Sequence, residues 1–306
     1  MNVAAIDVGT NTVILLIADI NPEPKEIIPI INEYRMPRIG KGLKQNGKIE
    51  RPQIEHLKLI LEEYLFLIEK YQCEYIFTAG TNAFRIAQNS DEILEEIYNS
   101  LNLKIEIVTK EKEAELSYLG AIYPDVLSES TVIDIGGGST EIIYGKESKI
   151  QFRKSYPIGV VSLSEQFFNN DPPTPEEIFN LNKYITNIFL DDLTEISPGL
   201  PTIAVAGTPT SIAAIKNQID EYDEHIVDRT ILSQIDLKNF IDHFASYNSK
   251  ELLSKHPKIL TGREDIILSG TLLLYKLSDL LKIKEVIVST KGIRYGLIIE
   301  KFLHDL

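Results

Sequence analysis

Two short stretches of sequence decide the fold. Residues 6–12 read IDVGTNT, residues 133–139 read IDIGGGS, and an apolar run follows each of them. Asp134 lies 127 positions after Asp7. In both stretches a strand carries a carboxylate near its end, and glycine lets the backbone turn sharply into the next strand. The stretches therefore predict two similar strand-turn-strand units in two parts of the chain.

A second pair of motifs repeats the same offset. Residues 77–82 (FTAGTN) resemble residues 205–209 (VAGTP), and Gly207 lies 127 positions after Gly80. Two unrelated motif pairs with one offset indicate the duplication of a large unit rather than a short solenoid repeat.

The hydrophobic pattern around these motifs is that of an α/β protein. Residues 3–6 and 13–18 have the length and composition of strands, whereas residues 53–71 carry apolar residues at three- and four-residue spacing, as an amphipathic helix does. Residues 174–177 (TPEE) combine an N-cap hydroxyl, a proline and a glutamate, which predicts the start of a helix. Alternating strands and helices of this kind predict an α/β fold.

A polar, proline-containing segment, residues 123–130 (YPDVLSES), separates the two halves. We therefore predict an N-terminal domain over residues 1–125 and a C-terminal domain over residues 126–306. The last helix, at about 293–306, is expected to pack back on the N-terminal domain. A cleft between two such domains is the default position for a ligand.

The composition excludes several classes of protein and partner. The 306 residues include 31 Lys and Arg against 45 Asp and Glu, and the net charge of −14 argues against a nucleic-acid groove built on bulk charge. Cys73 is the one cysteine, and the five histidines lack the spacing of a zinc motif. We expect a cytoplasmic protein without a signal peptide, a membrane segment or a nucleic-acid partner.

The two glycine turns have the chemistry of phosphate cradles. Successive N–H groups in a tight glycine-rich turn bind an anion without any formal positive charge. Neither turn is a P-loop, because no lysine follows the glycines and the next element is a strand. A plain β-turn is the ordinary alternative for one such turn, and the duplication argues against it. The candidate phosphate-binding residues are Asp7, Gly9, Thr10, Asn11, Thr12, Gly136, Gly137, Gly138 and Ser139.

Asp134 and Glu141 are the candidate metal ligands. They are seven residues apart across the second turn, so both carboxylates can face one site if each lies near the end of a paired strand. Carboxylate oxygens are the ligands that Mg²⁺ requires. The alternative is that Glu141 is a solvated strand residue.

Further candidate residues lie at predicted helix starts. Residues 79–85 (AGTNAFR) follow a strand, and Arg85 can bind phosphate oxygens there, although an ordinary ion pair is the alternative. Gly207 and Thr208 repeat this arrangement without a cation, which would suit a sugar hydroxyl or another phosphate. Glu113 lies in a predicted first turn, where an acid ordinarily serves the helix dipole.

Taken together, the motifs resemble the exopolyphosphatase and guanosine pentaphosphate phosphohydrolase (Ppx/GppA) family, a branch of the superfamily of actin, sugar kinases and heat-shock ATPases. The resemblance implies two duplicated ribonuclease H-like domains and the short two-domain form of the family. It extends along nearly the whole chain, over residues 5–12, 78–85, 111–120, 132–141, 156–161, 206–208, 262–270 and 292–296.

The resemblance also implies a mechanism. Glu113 stands at the position of the family's catalytic glutamate, which deprotonates the attacking water, and Arg85 stands at the position of an arginine that stabilises the developing charge. Asp134 and Glu141 would orient Mg²⁺ or another divalent cation. The implied substrates are inorganic polyphosphate and guanosine pentaphosphate, which lose a terminal orthophosphate; a homodimer is compatible with the resemblance.

Several alternatives stay open at this point. A kinase of the same superfamily would transfer phosphate from ATP to a small acceptor, and a non-catalytic nucleotide sensor or filament protein would show negligible turnover. Glu115 and Ser162 stand where many members of the family have arginine. Six basic residues in one stretch either line a substrate channel or form a solvated loop: Arg35, Arg38, Lys41, Lys44, Lys48 and Arg51.

Overall fold

The computed structural model describes residues 1–22, 25–125, 127–146, 149–190, 193 and 196–303. The elements of the first part of the chain are β1 (Asn2–Val8), β2 (Val13–Pro22), β3 (Lys25–Arg35), α1 (Leu43–Asn46), α2 (Arg51–Lys70), β4 (Tyr75–Gly80), α3 (Asn82–Ile86), α4 (Ser90–Leu101) and α5 (Lys110–Ile122). Those of the remainder are β5 (Glu129–Ile135), β6 (Thr140–Lys146), β7 (Lys149–Tyr156), α6 (Val160–Phe167), α7 (Pro175–Phe189), β8 (Thr202–Val205), α8 (Gly207–Lys216), α9 (Glu224–Val227), β9 (Ile231–Ser233), α10 (Gln234–Ala245), α11 (Ser249–Lys255), α12 (Pro257–Leu260), α13 (Ile267–Leu280), β10 (Glu285–Val288) and α14 (Ile293–Phe302).

The chain divides into two compact units. Unit 1 consists of Met1–Tyr123 together with Gly292–Leu306, and unit 2 is Pro124–Lys291. The division after Tyr123 lies within the segment proposed as the linker, two residues from the domain boundary placed at 125. Helix α14 belongs to unit 1 rather than to a C-terminal domain running to residue 306.

The sheet of unit 1 has the strand order β3-β2-β1-β4. Strand β1 pairs antiparallel with β2 and parallel with β4, so β1 lies in the interior of the sheet. Alternate residues of β1 enter two different cores, because successive side chains of a strand point to opposite faces. Ala4 and Ile6 belong to the core that includes α2, whereas Val3 and Ala5 belong to the core that includes α14.

The sheet of unit 2 repeats this arrangement and extends it. Its order is β7-β6-β5-β8-β10-β9, and its first four strands have the directions of β3-β2-β1-β4. The hairpin registers correspond residue for residue: Asp7 pairs with Ile14, and Asp134 pairs with Glu141, each position displaced by 127. The prediction of two duplicated α/β domains of the ribonuclease H-like type is confirmed.

Local sequence signals account for the helix boundaries. Thr174 accepts a hydrogen bond from the N–H of Glu177, whose carboxylate in turn accepts from the N–H of Thr174, so the capping box predicted for α7 is present. The predicted amphipathic helix at residues 53–71 is α2, which starts two residues earlier with Pro52 in its first turn.

No helix of the described residues is long and apolar enough to cross a membrane.

Helices α5 and α14 approach each other closely enough to require glycine. A methyl group on Gly296 would overlap the carbonyl oxygen of Leu116, and one on Gly120 would overlap the carbonyl oxygen of Gly292. Because these neighbours are backbone atoms, they cannot yield by changing rotamer. The contact fixes α5, which carries Glu113, against α14.

We expect Gly296→Ala to destabilise the protein by about 1–3 kcal/mol, the usual range for overpacking. Gly292→Ala is the matched control, because a methyl group there meets no atom within 4 Å, and it should change stability by less than about 1 kcal/mol. Urea denaturation of both variants checks this expectation. Equal stability of the two variants would contradict the close contact.

Candidate phosphate-binding and catalytic site

The first glycine turn is held closed by its own backbone and by a neighbouring loop. The N–H of Gly9 donates to the carbonyl of Thr12 at 2.9 Å. Two further bonds come from the loop after β3, where Gly40 N–H donates to Thr10 and Arg38 N–H donates to Asn11, at 2.8 and 3.1 Å. A methyl group on Gly40 would overlap the side chain of Thr10. The turn is therefore fixed by backbone contacts before any ligand arrives.

The second glycine turn is braced in the same way. The N–H of Gly136 donates to the carbonyl of Ser139 at 2.9 Å, which is the bond of the first turn displaced by 127 residues. From the start of α6, the N–H groups of Val160 and Val161 donate to the carbonyls of Gly136 and Gly137 at 3.0 and 2.9 Å. With its carbonyls engaged behind it, a turn of this type can present N–H groups to an anion.

Both turns thus have the same internal geometry, as the sequence predicted. Each also has a bracing glycine, Gly40 for the first turn and Gly159 for the second, since a methyl group on Gly159 would overlap the Gly136 carbonyl oxygen. Gly40 was not selected from the sequence, whereas Gly159 lies in the segment 156–161 that resembles the family.

Asp134 and Glu141 face each other across the second hairpin. They are a directly paired position of β5 and β6, and both are buried, with exposures of 8% and 1%. Glu141 is therefore not a solvated strand residue. Ser155 pairs with Glu141 on the next strand, β7, and its hydroxyl donates to Glu141 Oε1 at 2.6 Å. Three polar side chains form one row across three strands.

The donor atoms of this row are carboxylate and hydroxyl oxygens, and oxygen is the ligand atom that Mg²⁺ prefers. Among the described residues, no group of three or more His, Cys, Asp or Glu side chains could hold a metal ion. Mg²⁺ commonly binds through one or two carboxylates and keeps several waters, so a carboxylate pair is sufficient. Ser155, which the sequence analysis did not select, orients one of the two carboxylates. The one indication of Ser155 in the sequence is that it lies on the strand that follows the strand of Glu141.

Arg85 and Glu113 form a largely buried ion pair in unit 1. Arg85 Nη1 lies 2.5 Å from Glu113 Oε2 and donates to the Val108 carbonyl at 3.0 Å. Glu113 is only 5% exposed. The ordinary first-turn role does not explain this burial, because the N-cap of α5 is already supplied by the hydroxyl of Thr109.

Arg85 of this pair and Asn11 of the first turn carry buried polar atoms that lack a hydrogen-bond partner among the described residues. Within the described part of the chain, Nε and Nη2 of Arg85 and Oδ1 of Asn11 are buried without a hydrogen-bond partner. Buried donors and acceptors without partners cost free energy, and they occur at sites built for a ligand.

The predicted helix after β4, α3, is short, running from Asn82 to Ile86.

Gly207 and Thr208 begin α8, and the structure corrects the prediction that no cation accompanies them. Arg263 Nη1 donates to the carbonyl of Gly207 at 2.8 Å and to the hydroxyl of Ser211 at 3.0 Å. Because Arg263 is 56 residues from Gly207 in sequence, local sequence reasoning could not pair them.

The six basic residues of the stretch 35–51 differ in their structural partners. Arg35 is paired with Glu33 and Glu63, and Arg51 is paired with Glu96 and Glu55. The two ends of the stretch are therefore engaged in ion pairs. Arg38 is the member whose backbone touches the first turn.

The two positions that depart from the family pattern have local structural partners. Glu115 lies 3.2 Å from Lys112 Nζ, and the Ser162 hydroxyl accepts from the N–H of Gly159 at 3.0 Å. Ser162 therefore helps to start α6 behind the second turn.

The two units and their glycine turns define a duplicated α/β protein of the ribonuclease H-like class. The sequence model of the Ppx/GppA phosphatase family matches residues 16–305. The chain therefore belongs to the Ppx/GppA phosphatase family.

Named relatives are similar over most of the chain. A bifunctional 3-dehydroquinate synthase/phosphatase of Fusobacterium nucleatum is 28% identical over 97% of this chain, which spans 46% of that protein. Exopolyphosphatase 2 of Mycobacterium tuberculosis is 28% identical, over 90% of this chain and 89% of its own length. The crystal structure of the Aquifex aeolicus member of the Ppx/GppA family superposes with a TM-score of 0.83 at 30% identity, covering 100% of this chain and 98% of that one.

We expect Ser155→Ala to weaken Mg²⁺ binding by about tenfold, because residues that orient a metal ligand typically contribute 10- to 100-fold to affinity. Ser155→Thr retains the hydroxyl and should bind nearly as the native protein does. Calorimetric titration with MgCl₂ measures both affinities. Equal affinities for the alanine and threonine variants would show that the hydroxyl does not orient Glu141.

Proposed function

We propose that this protein is a phosphoanhydride hydrolase that releases terminal orthophosphate from inorganic polyphosphate. Inorganic polyphosphate is the substrate suggested by the names of its exopolyphosphatase relatives. Guanosine pentaphosphate is the second substrate class that we propose, because it also carries a terminal phosphoanhydride. Water is the acceptor in this proposal.

The contact between Arg85 and Glu113 carries the proposal. Glu113 Oε2 lies 2.5 Å from Arg85 Nη1, so the guanidinium orients a carboxylate, which is a group that can accept a proton from water. The same guanidinium has two further buried nitrogens, Nε and Nη2, without partners among the described residues. A phosphate oxygen is a suitable acceptor for them, because guanidinium and phosphate match in geometry and charge.

The proposed roles follow from this arrangement. Glu113 orients and deprotonates the attacking water, and Arg85 stabilises charge on the transferring phosphoryl group. N–H groups and hydroxyls of residues 9–12 and 136–139 bind phosphate oxygens. Such loops suit an acidic chain, because they attract an anion without adding lysine or arginine.

Asp134 and Glu141 are the residues proposed to hold Mg²⁺. When bound, the ion would neutralise negative charge on the phosphate oxygens. Ser155 keeps the Glu141 carboxylate oriented, and the strand pairing keeps Asp134 opposite it.

We expect Glu113→Gln to lower kcat for phosphate release by about 10² to 10⁴-fold, the usual contribution of a general base. Glutamine retains the shape of the side chain but cannot take a proton at neutral pH. The experiment measures orthophosphate release with Mg²⁺ from long-chain polyphosphate and, separately, from guanosine pentaphosphate.

The matched control for this experiment is Glu115→Gln. Glu115 lies on the same helix, and its partner is Lys112 on the protein surface, so its loss should change kcat by less than about threefold. Similar activity of the two variants would remove Glu113 as the base. Failure of the native protein to release phosphate from either substrate would favour a kinase or a nucleotide sensor, and an ATP-dependent acceptor assay would then separate those two.

A further inference from the structure

Two histidines of unit 2 meet away from the glycine turns. His243 lies on α10, and His256 lies at the junction of α11 and α12. Their Nε2 atoms are 3.4 Å apart, and their ring planes are inclined at 66°. The proposed hydrolysis gives neither residue a role.

The separation of the two nitrogens fits a shared metal ion. Zn–N bonds of about 2.0–2.1 Å at a tetrahedral angle place two ligand nitrogens about 3.3–3.4 Å apart. In the metal-free protein the same two nitrogens share an N–H···N hydrogen bond whose direction depends on the tautomers of the rings. Because the ring centres are 5.7 Å apart, the two Nε2 atoms point almost directly at each other, and each ring would turn by roughly 30° to direct its lone pair at a shared tetrahedral ion. Both residues are partly exposed, which leaves room for that rotation and for water.

The surroundings keep the two imidazoles in the form that binds metal. Burial, followed by the charge of Lys255, lowers the pKa of His243. Burial, followed by His243 and Lys255, lowers the pKa of His256. Neutral imidazole is the ligating form, and burial favours it in both residues, whereas the Lys255 charge opposes a bound metal cation as it opposes a proton. The Lys255 ammonium lies 4.2 Å from the ring centre of Tyr247, which packs edge-on against His243.

We propose that His243 and His256 form a binding site for a divalent transition-metal ion of the Zn²⁺, Ni²⁺ or Cu²⁺ type. Imidazole nitrogen suits these ions, whereas Mg²⁺ prefers oxygen ligands. Water completes the coordination, since the described residues contribute no third carboxylate, thiolate or imidazole. The ion joins α10 to the α11–α12 junction and stabilises unit 2. This inference does not depend on the proposed hydrolase activity.

The test uses the full-length, chelator-treated protein without substrate. Equilibrium dialysis against ZnCl₂ should give about one bound equivalent at this site, with an accompanying rise in Tm. His243→Gln and His256→Ala should each weaken this binding at least about tenfold, because each removes a ligand. His225→Ala is the control, since His225 is an exposed histidine of the same unit, and it should bind as the native protein does.

A second measurement requires no substitution. Lowering the pH to about 5 should release the ion from the native protein, because both imidazoles must then take up a proton. Far-UV circular dichroism of each variant separates loss of the site from loss of the fold. Absence of Zn²⁺ binding in the native protein, or unchanged binding in both correctly folded histidine variants, would overturn the proposal.

Discussion

The closed glycine turn after the first strand of each sheet is the constraint on which the site depends. In both units the N–H of the first glycine donates to the carbonyl three residues later, at 2.9 Å. This bond sets the hairpin register, and the register decides which side chains stand opposite one another. Asp134 meets Glu141 for this reason, while the corresponding partner of Asp7 is the apolar Ile14.

The two units therefore share one backbone arrangement but carry chemically different side chains. Unit 2 places two buried carboxylates and a serine hydroxyl in one row, whereas unit 1 places a partly exposed arginine against a buried glutamate. The proposed metal ligands and the proposed base thus come from different copies of the duplicated unit. Because the backbone of each turn is braced from behind, side chains can change without loss of the turn.

In unit 1 the packing of α14 against α5 holds the helix that carries Glu113. Glu113 lies in the first turn of α5, and the glycine contacts between α5 and α14 leave no space for a methyl group. A close backbone contact of this kind fixes helix position more firmly than side chains that can change rotamer. Helix α14 thereby helps to position Glu113.

The duplicated α/β fold, the two turns and the capping box of α7 could be predicted from the sequence, because each depends on residues close together in the chain. The sequence also selected Arg85 and Glu113, through their resemblance to a family, without showing that they touch. Four pairs of partners could be identified only in the folded chain: Arg85 with Glu113, Ser155 with Glu141, Arg263 with Gly207 and His243 with His256. Each of these contacts joins residues from different strands, helices or the segments between them. Strand register and helix packing set their distances, and neither can be obtained from local periodicity.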